Sequence, residues 1–251
     1  MRTQVKTNKE IEAMRESGRM LATVLQSMRH KAAAGMTTKQ LSDMAARELR
    51  ALGGEPTIQG YQGFPEAMCV SINDEVVHGI PRADRLIAEG DLVSLDFCNT
   101  YHGMITDSAL SVIIGTPKQA NHKRLLQQTE VALYAGIDTL HDQVRAGDIG
   151  AAVEAALKQA KLGIVRDLVG HGVGHQMHED PNIPNYGRAN SGPWLEAGMT
   201  IAIEPMATLG TDRVVIAEDG WTILTADHSW AAHFEHTVLI TEDGFEILTQ
   251  V

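Results

Sequence analysis

Three histidines, His171, His175 and His178, fall within eight residues of the segment Leu168–Pro181, LVGHGVGHQMHEDP. The first two stand four apart, the spacing by which a helix offers two imidazoles to one zinc ion. Gly170, Gly172 and Gly174 oppose a helix here, because each glycine in a helix interior costs about 0.8–1.0 kcal/mol relative to alanine. Alternating glycine points instead to extended backbone that another group approaches closely. On a strand rising about 3.3 Å per residue, His171 and His175 share a face but lie about 13 Å apart. At most one of them ligates a given ion, and its partners come from elsewhere in the chain.

Carboxylates are the natural partners. Asp96 and Asp107 flank FCNTYHGMIT, which contains Asn99 and the turn-prone His102-Gly103. A reversal at Tyr101-His102 predicts that the two acids face each other across an antiparallel pair, with Cβ atoms about 4.5–5.5 Å apart. Buried carboxylates that close repel, and an interior site keeps both ionised only with a cation present. Glu204 closes the apolar run MTIAIE, and Glu235 opens another in FEHTVLI. Taken singly, each acid reads more simply as a surface residue of an edge strand or loop. Four together, with His171 beside them, ask for a shared cause. Carboxylate-rich sites with one imidazole suit Mn, Fe, Co or Zn, and carboxylates readily bridge two ions about 3.5–4 Å apart. The expectation is a pair of divalent cations, with Gly170 and Gly172 letting His171 lie close to them.

Such side chains need strands to carry them and helices to bury the strands. Apolar residues at Ile11, Met14, Leu21, Val24, Leu25 and Met28 recur near helical spacing and predict a helix over Ile11–His30. Thr37-Thr38-Lys39-Gln40 has the form of a capping box, ahead of a helix Leu41–Leu52 that stops at Gly53-Gly54. Two more helices are expected, one over Lys118–Val144 and one with Asp148 as N-cap, ending near Gly163. Short β-type runs occupy Ala67–Ile72, Leu92–Phe97, Ala109–Ile114, Thr200–Glu204, Val214–Ala217, Trp221–Leu224 and Thr237–Ile240. Gly90-Asp-Leu-Val-Ser-Leu-Asp96 and Gly198-Met-Thr-Ile-Ala-Ile-Glu204 match in outline, each a glycine, a β run and an acid six residues on. Each is followed by a second acid, Asp107 or Glu235, that opens another apolar strand. This predicts two related halves, each with helices and a sheet bearing two carboxylates. With no linker, low-complexity tract or composition break, residues 1–251 read as one domain.

Bulk properties narrow the class. A net charge of −11 disfavours nucleic acid and anionic membrane as partners. Cys69 and Cys98 make no disulfide framework and no CxxC, which fits a reducing cytosol. The charged N-terminus lacks the apolar core of a signal peptide, and no apolar run approaches the length of a membrane span. The expected setting is cytoplasmic.

At this point the chain resembles a known family, the type I methionine aminopeptidases, which have the pita-bread fold. The likeness rests on YQGFP (Tyr61–Pro65), VVHGIP (Val76–Pro81), SLDF (Ser94–Phe97), TDSA (Thr106–Ala109), GHGVGHQMHEDP (Gly170–Pro181), IEP (Ile203–Pro205) and FEHT (Phe234–Thr237), all in order. It implies an α/β (α+β) fold of two pseudo-symmetric halves, an antiparallel sheet covered by helices, which agrees with the repeat. It implies two divalent metal ions held by Asp96, Asp107, His171, Glu204 and Glu235, with Asp107 and Glu235 shared, Asp96 on one ion, and His171 with Glu204 on the other. His178 would hydrogen-bond the scissile carbonyl oxygen, and His78 would contact the peptide nitrogen of the departing amine. Tyr61, Phe64, Cys69, Met177 and Trp221 would line a methionine pocket, while His175 would be a bystander. Gln62 and Met177 depart from the commonest pattern, which bears on pocket shape. The implied activity is removal of the initiator methionine from nascent chains with a small second residue, with Glu204 moving a proton during hydrolysis. The expected form is the short bacterial type, a monomer whose partners are nascent peptide N-termini and, at the place of synthesis, the ribosome.

Two other readings compete. Xaa-Pro aminopeptidases and dipeptidases share the fold and usually carry a large extra N-terminal domain. A metal-free pita-bread module that docks partner proteins would have lost ligands, and all five are present here.

Overall fold

Thr7 and Glu10 start the first helix reciprocally. The Thr7 hydroxyl accepts from the Glu10 backbone N–H, and the Glu10 carboxylate accepts from the Thr7 N–H at 2.7 Å. This computed structural model describes residues 3–251. Helix α1 (Asn8–Lys31) buries Met14, Leu21, Val24, Leu25 and Met28, the stripe expected from its spacing. Helix α2 (Thr38–Leu52) opens on a second capping box, Thr37 with Gln40, and closes at Gly53 with φ of 96°, a left-handed value that suits glycine. Helix α3 (Ala120–Ile137) is shorter than expected. The Thr139 hydroxyl donates to the Gly136 carbonyl at 2.7 Å, competing with the next helical turn, and Leu140 is carried into the core by a turn instead. Helix α4 (Ala146–Gln159) begins before Asp148, which is therefore not the N-cap. Asp148 sits inside the first turn and accepts from the Arg145 N–H at 3.1 Å.

Eight strands carry the acids and histidines or brace the strands that do: β1 (Cys69–Ile72), β2 (Leu92–Tyr101), β3 (Met104–Ile113), β4 (Gly170–Gly172), β5 (Glu179–Ile183), β6 (Thr200–Ile203), β7 (Ala231–His233) and β8 (Glu235–Thr241). All but β7 belong to a nine-stranded antiparallel sheet whose central order is β2-β3-β8-β6-β4-β5, with β1 also paired to β2. Each expected β run overlaps a strand, β2, β3 and β8 running longer than their apolar stretches, but Trp221–Leu224 is strand only from Ile223, in a strand Ile223–Thr225. The β2–β3 pair and the β6–β8 pair lie side by side and join where Ala109 meets Glu235 and Ser108 meets His236. These are the two halves that the repeat predicted.

The β2–β3 turn departs from expectation. Tyr101 pairs with Met104, and His102 and Gly103 form a two-residue turn with φ of 48° and 80°, a pattern that matches strand twist. Asp96 therefore stands opposite Ala109, and Asp107 opposite Cys98. The two acids are diagonal neighbours, not direct partners. Because side chains alternate, they still share a face. Leu95 and Phe97 point the other way, into the core with Leu21 and Leu25 of α1.

Candidate metal centre

Alternation on β2 and β3 brings Asp96, Cys98 and Asp107 together, with ligand atoms all within 4.8 Å of one another. Asp107, His171 and Glu235 form a second such group, so Asp107 belongs to both. Thr237 of β8 fixes Asp107 from behind. Its hydroxyl accepts from the Asp107 N–H at 2.9 Å and donates to the Asp107 carbonyl at 2.8 Å. Ser108 donates to the Glu235 carbonyl at 2.8 Å, tying the two carboxylate-bearing strands together. Glu204 follows β6, and Asn185 donates to its backbone carbonyl at 2.9 Å.

Strand β4 delivers His171. A Cβ on Gly170 would run into the Ala202 carbonyl of β6, and one on Gly172 would meet Thr3 Cβ at 2.7 Å and the Asp180 carbonyl at 2.8 Å. The glycines therefore serve close strand approach, as their alternation indicated. The Nδ1 of His171 lies 2.9 Å from the Gly172 carbonyl, so Nδ1 carries the proton and Nε2 presents a lone pair. That lone pair is 3.6 Å from Glu204 Oε1. His178 leaves the same segment after a turn and meets His171 edge to face, ring centroids 4.4 Å apart. His175 points away, with Nε2 2.8 Å from Glu10 Oε1.

Burial and crowding set the charge states. Burial, reinforced by Asp107 and Glu204, pushes the Asp96 carboxyl up to about 8. Burial raises Asp107 to about 7, with Glu204 adding and a hydrogen bond from Cys98 subtracting. Glu204 rises to about 8 through burial. Burial and then the other three acids lift Glu235 well above the carboxylate range. Burial pushes His171 down to about 3 and His78 to about 4. Asp107 and Glu235 are buried and Asp96 and Glu204 half-buried; four such acids that resist ionising together, beside imidazoles that resist protonation, are matched to divalent cations, which reward both states. Asp107 Oδ1 is a direct sign of this fit, a buried acceptor with no hydrogen-bond partner among the described residues. The donor set suits Mn, Fe, Co or Zn.

The carboxylates line a cavity of about 110 Å³ together with His78, His171 and His178. Met177, Cys98, Ile58 and Met206 supply its apolar wall. Tyr61, Phe64, Cys69 and Trp221 belong to the apolar cluster behind that wall, with Phe64 edge-on to Trp221 at 5.1 Å and Cys69 opposite Asp96 in the sheet. His78 stands just beyond a short strand in a left-handed conformation, φ 58°. The next residue, Gly79, presses so close to β1 that an added Cβ would meet the Val70 carbonyl at 2.5 Å. His233 was missed by sequence reasoning. It is buried, its Nε2 lies 3.5 Å from Glu204 Oε2, and only its place two residues before Glu235 hinted at the site.

Comparison with known proteins agrees with this geometry. Residues 12–242 match the family described as metallopeptidase family M24. Methionine aminopeptidase 1 of Bacillus subtilis is 42% identical over 249 residues, 98% of each chain. Methionine aminopeptidase 1 of Mycobacterium tuberculosis is 42% identical over 246 residues, 96% of this chain and 92% of its own. The crystal structure of methionine aminopeptidase from Thermotoga maritima superposes with a TM-score of 0.97 at 41% identity, covering 99% of this chain and 100% of that one. Prolidase from Pyrococcus furiosus shares the fold at a TM-score of 0.76 and 20% identity, and this chain spans 65% of its length. By sequence along nearly its whole length and by backbone, the chain belongs to metallopeptidase family M24, among the methionine aminopeptidases.

Proposed function

We propose that this metal-dependent hydrolase removes the initiator methionine from nascent polypeptides, preferring a small second residue. One observation carries the reading: four carboxylates and an imidazole from separated strands converge on one cavity with an apolar wall. Asp96, Asp107, His171, Glu204 and Glu235 would hold two divalent ions. Asp107, common to both ligand groups, would be shared between them with Glu235. The ions supply Lewis acidity, keeping the acids ionised and making water a competent nucleophile at neutral pH.

The chain's own residues do the rest. The apolar cluster of Tyr61, Phe64, Cys69, Met177 and Trp221 receives the methionine side chain, where a flexible thioether packs well. The substrate's α-amine sits on the Asp96 side, which restricts cleavage to the first residue. Burial lowers the affinity of His178 for a proton, so it is neutral and donates an N–H to the scissile carbonyl oxygen, offsetting the charge that develops there. His78, also neutral, meets the peptide nitrogen. Glu204 takes a proton at a carboxylate oxygen and passes it to the departing amine. We place the enzyme in the cytoplasm as a monomer that meets chains near the ribosome. No helix among the described residues is long and apolar enough to cross a membrane.

Turnover of Met-Ala-Ser, followed anaerobically as chelator-treated protein is titrated with Mn, Fe, Co or Zn, tests this function. The expected product is free methionine, formed only with divalent ion. Release confined to Xaa-Pro peptides would assign the chain to the prolidase side of the family instead.

A further inference from the structure

We propose that His233 is a positioning residue for Glu204: its Nε2–H donates to Glu204 Oε2 and leaves Oε1 to face His171 and the divalent ion. The proposal rests on placing Glu204 in the metal centre. His233 ends β7, and its backbone is fastened on both sides. Its N–H donates to the Ser111 hydroxyl at 3.0 Å, that hydroxyl donates to its carbonyl at 2.8 Å, and Met206 is its partner in the neighbouring strand. The side chain is 2% exposed, and neither ring nitrogen has a hydrogen-bond partner among the described residues. A neutral imidazole offers one donor and one acceptor, and leaving a donor unmade in the interior forfeits its hydration.

Glu204 Oε2 lies 3.5 Å from His233 Nε2, just short of a bond, while Oε1 lies 3.6 Å from His171 Nε2. The two imidazoles thus take one carboxylate oxygen each. They are not equivalent. His171 has its proton on Nδ1, beside the Gly172 carbonyl, so its Nε2 cannot donate to Oε1. His233 carries its proton usefully only on Nε2, where an acceptor waits. His233 is not part of the cavity lining, so it reaches the chemistry through Glu204. Donors that orient a metal-ligating carboxylate contribute to affinity as well as to geometry.

Anaerobic calorimetric titration of Mn²⁺ into chelator-treated wild type, His233→Gln and His233→Leu tests this. The glutamine amide nitrogen reaches roughly where the imidazole Nε2 does, and leucine offers no donor. The expected result is affinity about 10–100-fold weaker at one site in His233→Leu, and near wild type in His233→Gln. Unchanged affinity in His233→Leu would overturn the proposal, as would equal losses in both variants, which indicate packing alone. A wild type that binds no divalent ion would overturn the metal-centre reading, a result distinct from either. Nitrogen-15 spectra of histidine-labelled, zinc-loaded wild type need no folded variant. A slowly exchanging Nε2–H on His233 is expected. An Nδ1–H tautomer, or a ring nitrogen bonded to zinc, would overturn the positioning role.

Discussion

Asp107 illustrates how one residue is loaded from two directions. It belongs to both ligand groups, has a buried oxygen with no hydrogen-bond partner among the described residues, and is clamped by Thr237. Asp107→Asn should weaken divalent-ion binding by at least about 100-fold, beyond the 10–100-fold usual for outer-shell changes. The same variant should be more stable than wild type in chelator, because it removes one of four acids that repel one another. Each kcal/mol relieved should appear as about 2–4 °C in the melting midpoint of a chain this size. The pH dependence has a definite sign. Asp96, Asp107 and Glu204 have folded-state values near 8, 7 and 8, above their ordinary 3.8, 3.8 and 4.5. With chelator present, the folded chain then binds more protons than the unfolded chain, so stability falls as pH rises from about 4 through about 8. Metal-loaded protein should show no such fall, since binding needs the deprotonated ligands. Parallel melting curves at several pH values would check this, and a chelated midpoint that climbs toward pH 8 would contradict it. At this scale the sequence was informative about residue type: the acids stood out because a charge in a β run is costly, and His171 because glycines flank it. His233 was not legible, since a histidine two residues from an acid is ordinary until the fold shows what surrounds its ring.

Elements place these residues, and here turns and close approaches decide. The β2 and β3 runs were visible in the pattern, but the register depended on whether the chain reversed at Tyr101-His102 or His102-Gly103, a choice periodicity does not make. The segment after β4 is held in a different way. Glu179 accepts from the N–H groups of His175 and Gln176, at 2.8 and 3.0 Å, and so shapes the turn that presents His178. Lys6, from the segment before α1, neutralises it at 3.2 Å, with both side chains essentially inaccessible to water. Lys6→Met leaves a buried carboxylate without its cation and should cost about 3–5 kcal/mol in urea unfolding. Lys6→Met combined with Glu179→Gln should recover part of that loss in stability while leaving the His178 turn less well fixed, read as a fall in kcat on Met-Ala-Ser. Recovery of both stability and kcat would show that the pair has no bearing on His178.

Across the whole molecule, the two halves meet along a short seam. Among the described residues, strands β3 and β8 pair through Ala109 with Glu235 and Ser108 with His236 alone. Side chains extend the seam: Thr237 to Asp107, Ser108 to the Glu235 carbonyl, Ser111 to the His233 carbonyl. Asp96 and Asp107 lie on one side of it, Glu204 and Glu235 on the other. Without cations the acids push the halves apart where pairing is thinnest, and divalent ions reverse the sign of that interaction. The repeat in the sequence foretold two halves with two acids each, but not that their junction would be the site, because facing strands are chosen by tertiary packing. Hydrogen exchange should therefore be uneven. Addition of Mn²⁺ to chelated protein should slow exchange most at β3, β6 and β8 around the seam, and least in α2 and at the far ends of β2 and β3. Local opening reports such differences because strands with few bonds open below the global unfolding energy. Uniform slowing over the chain would mean the ions raise global stability without joining the halves, and no slowing would mean the acids do not hold them.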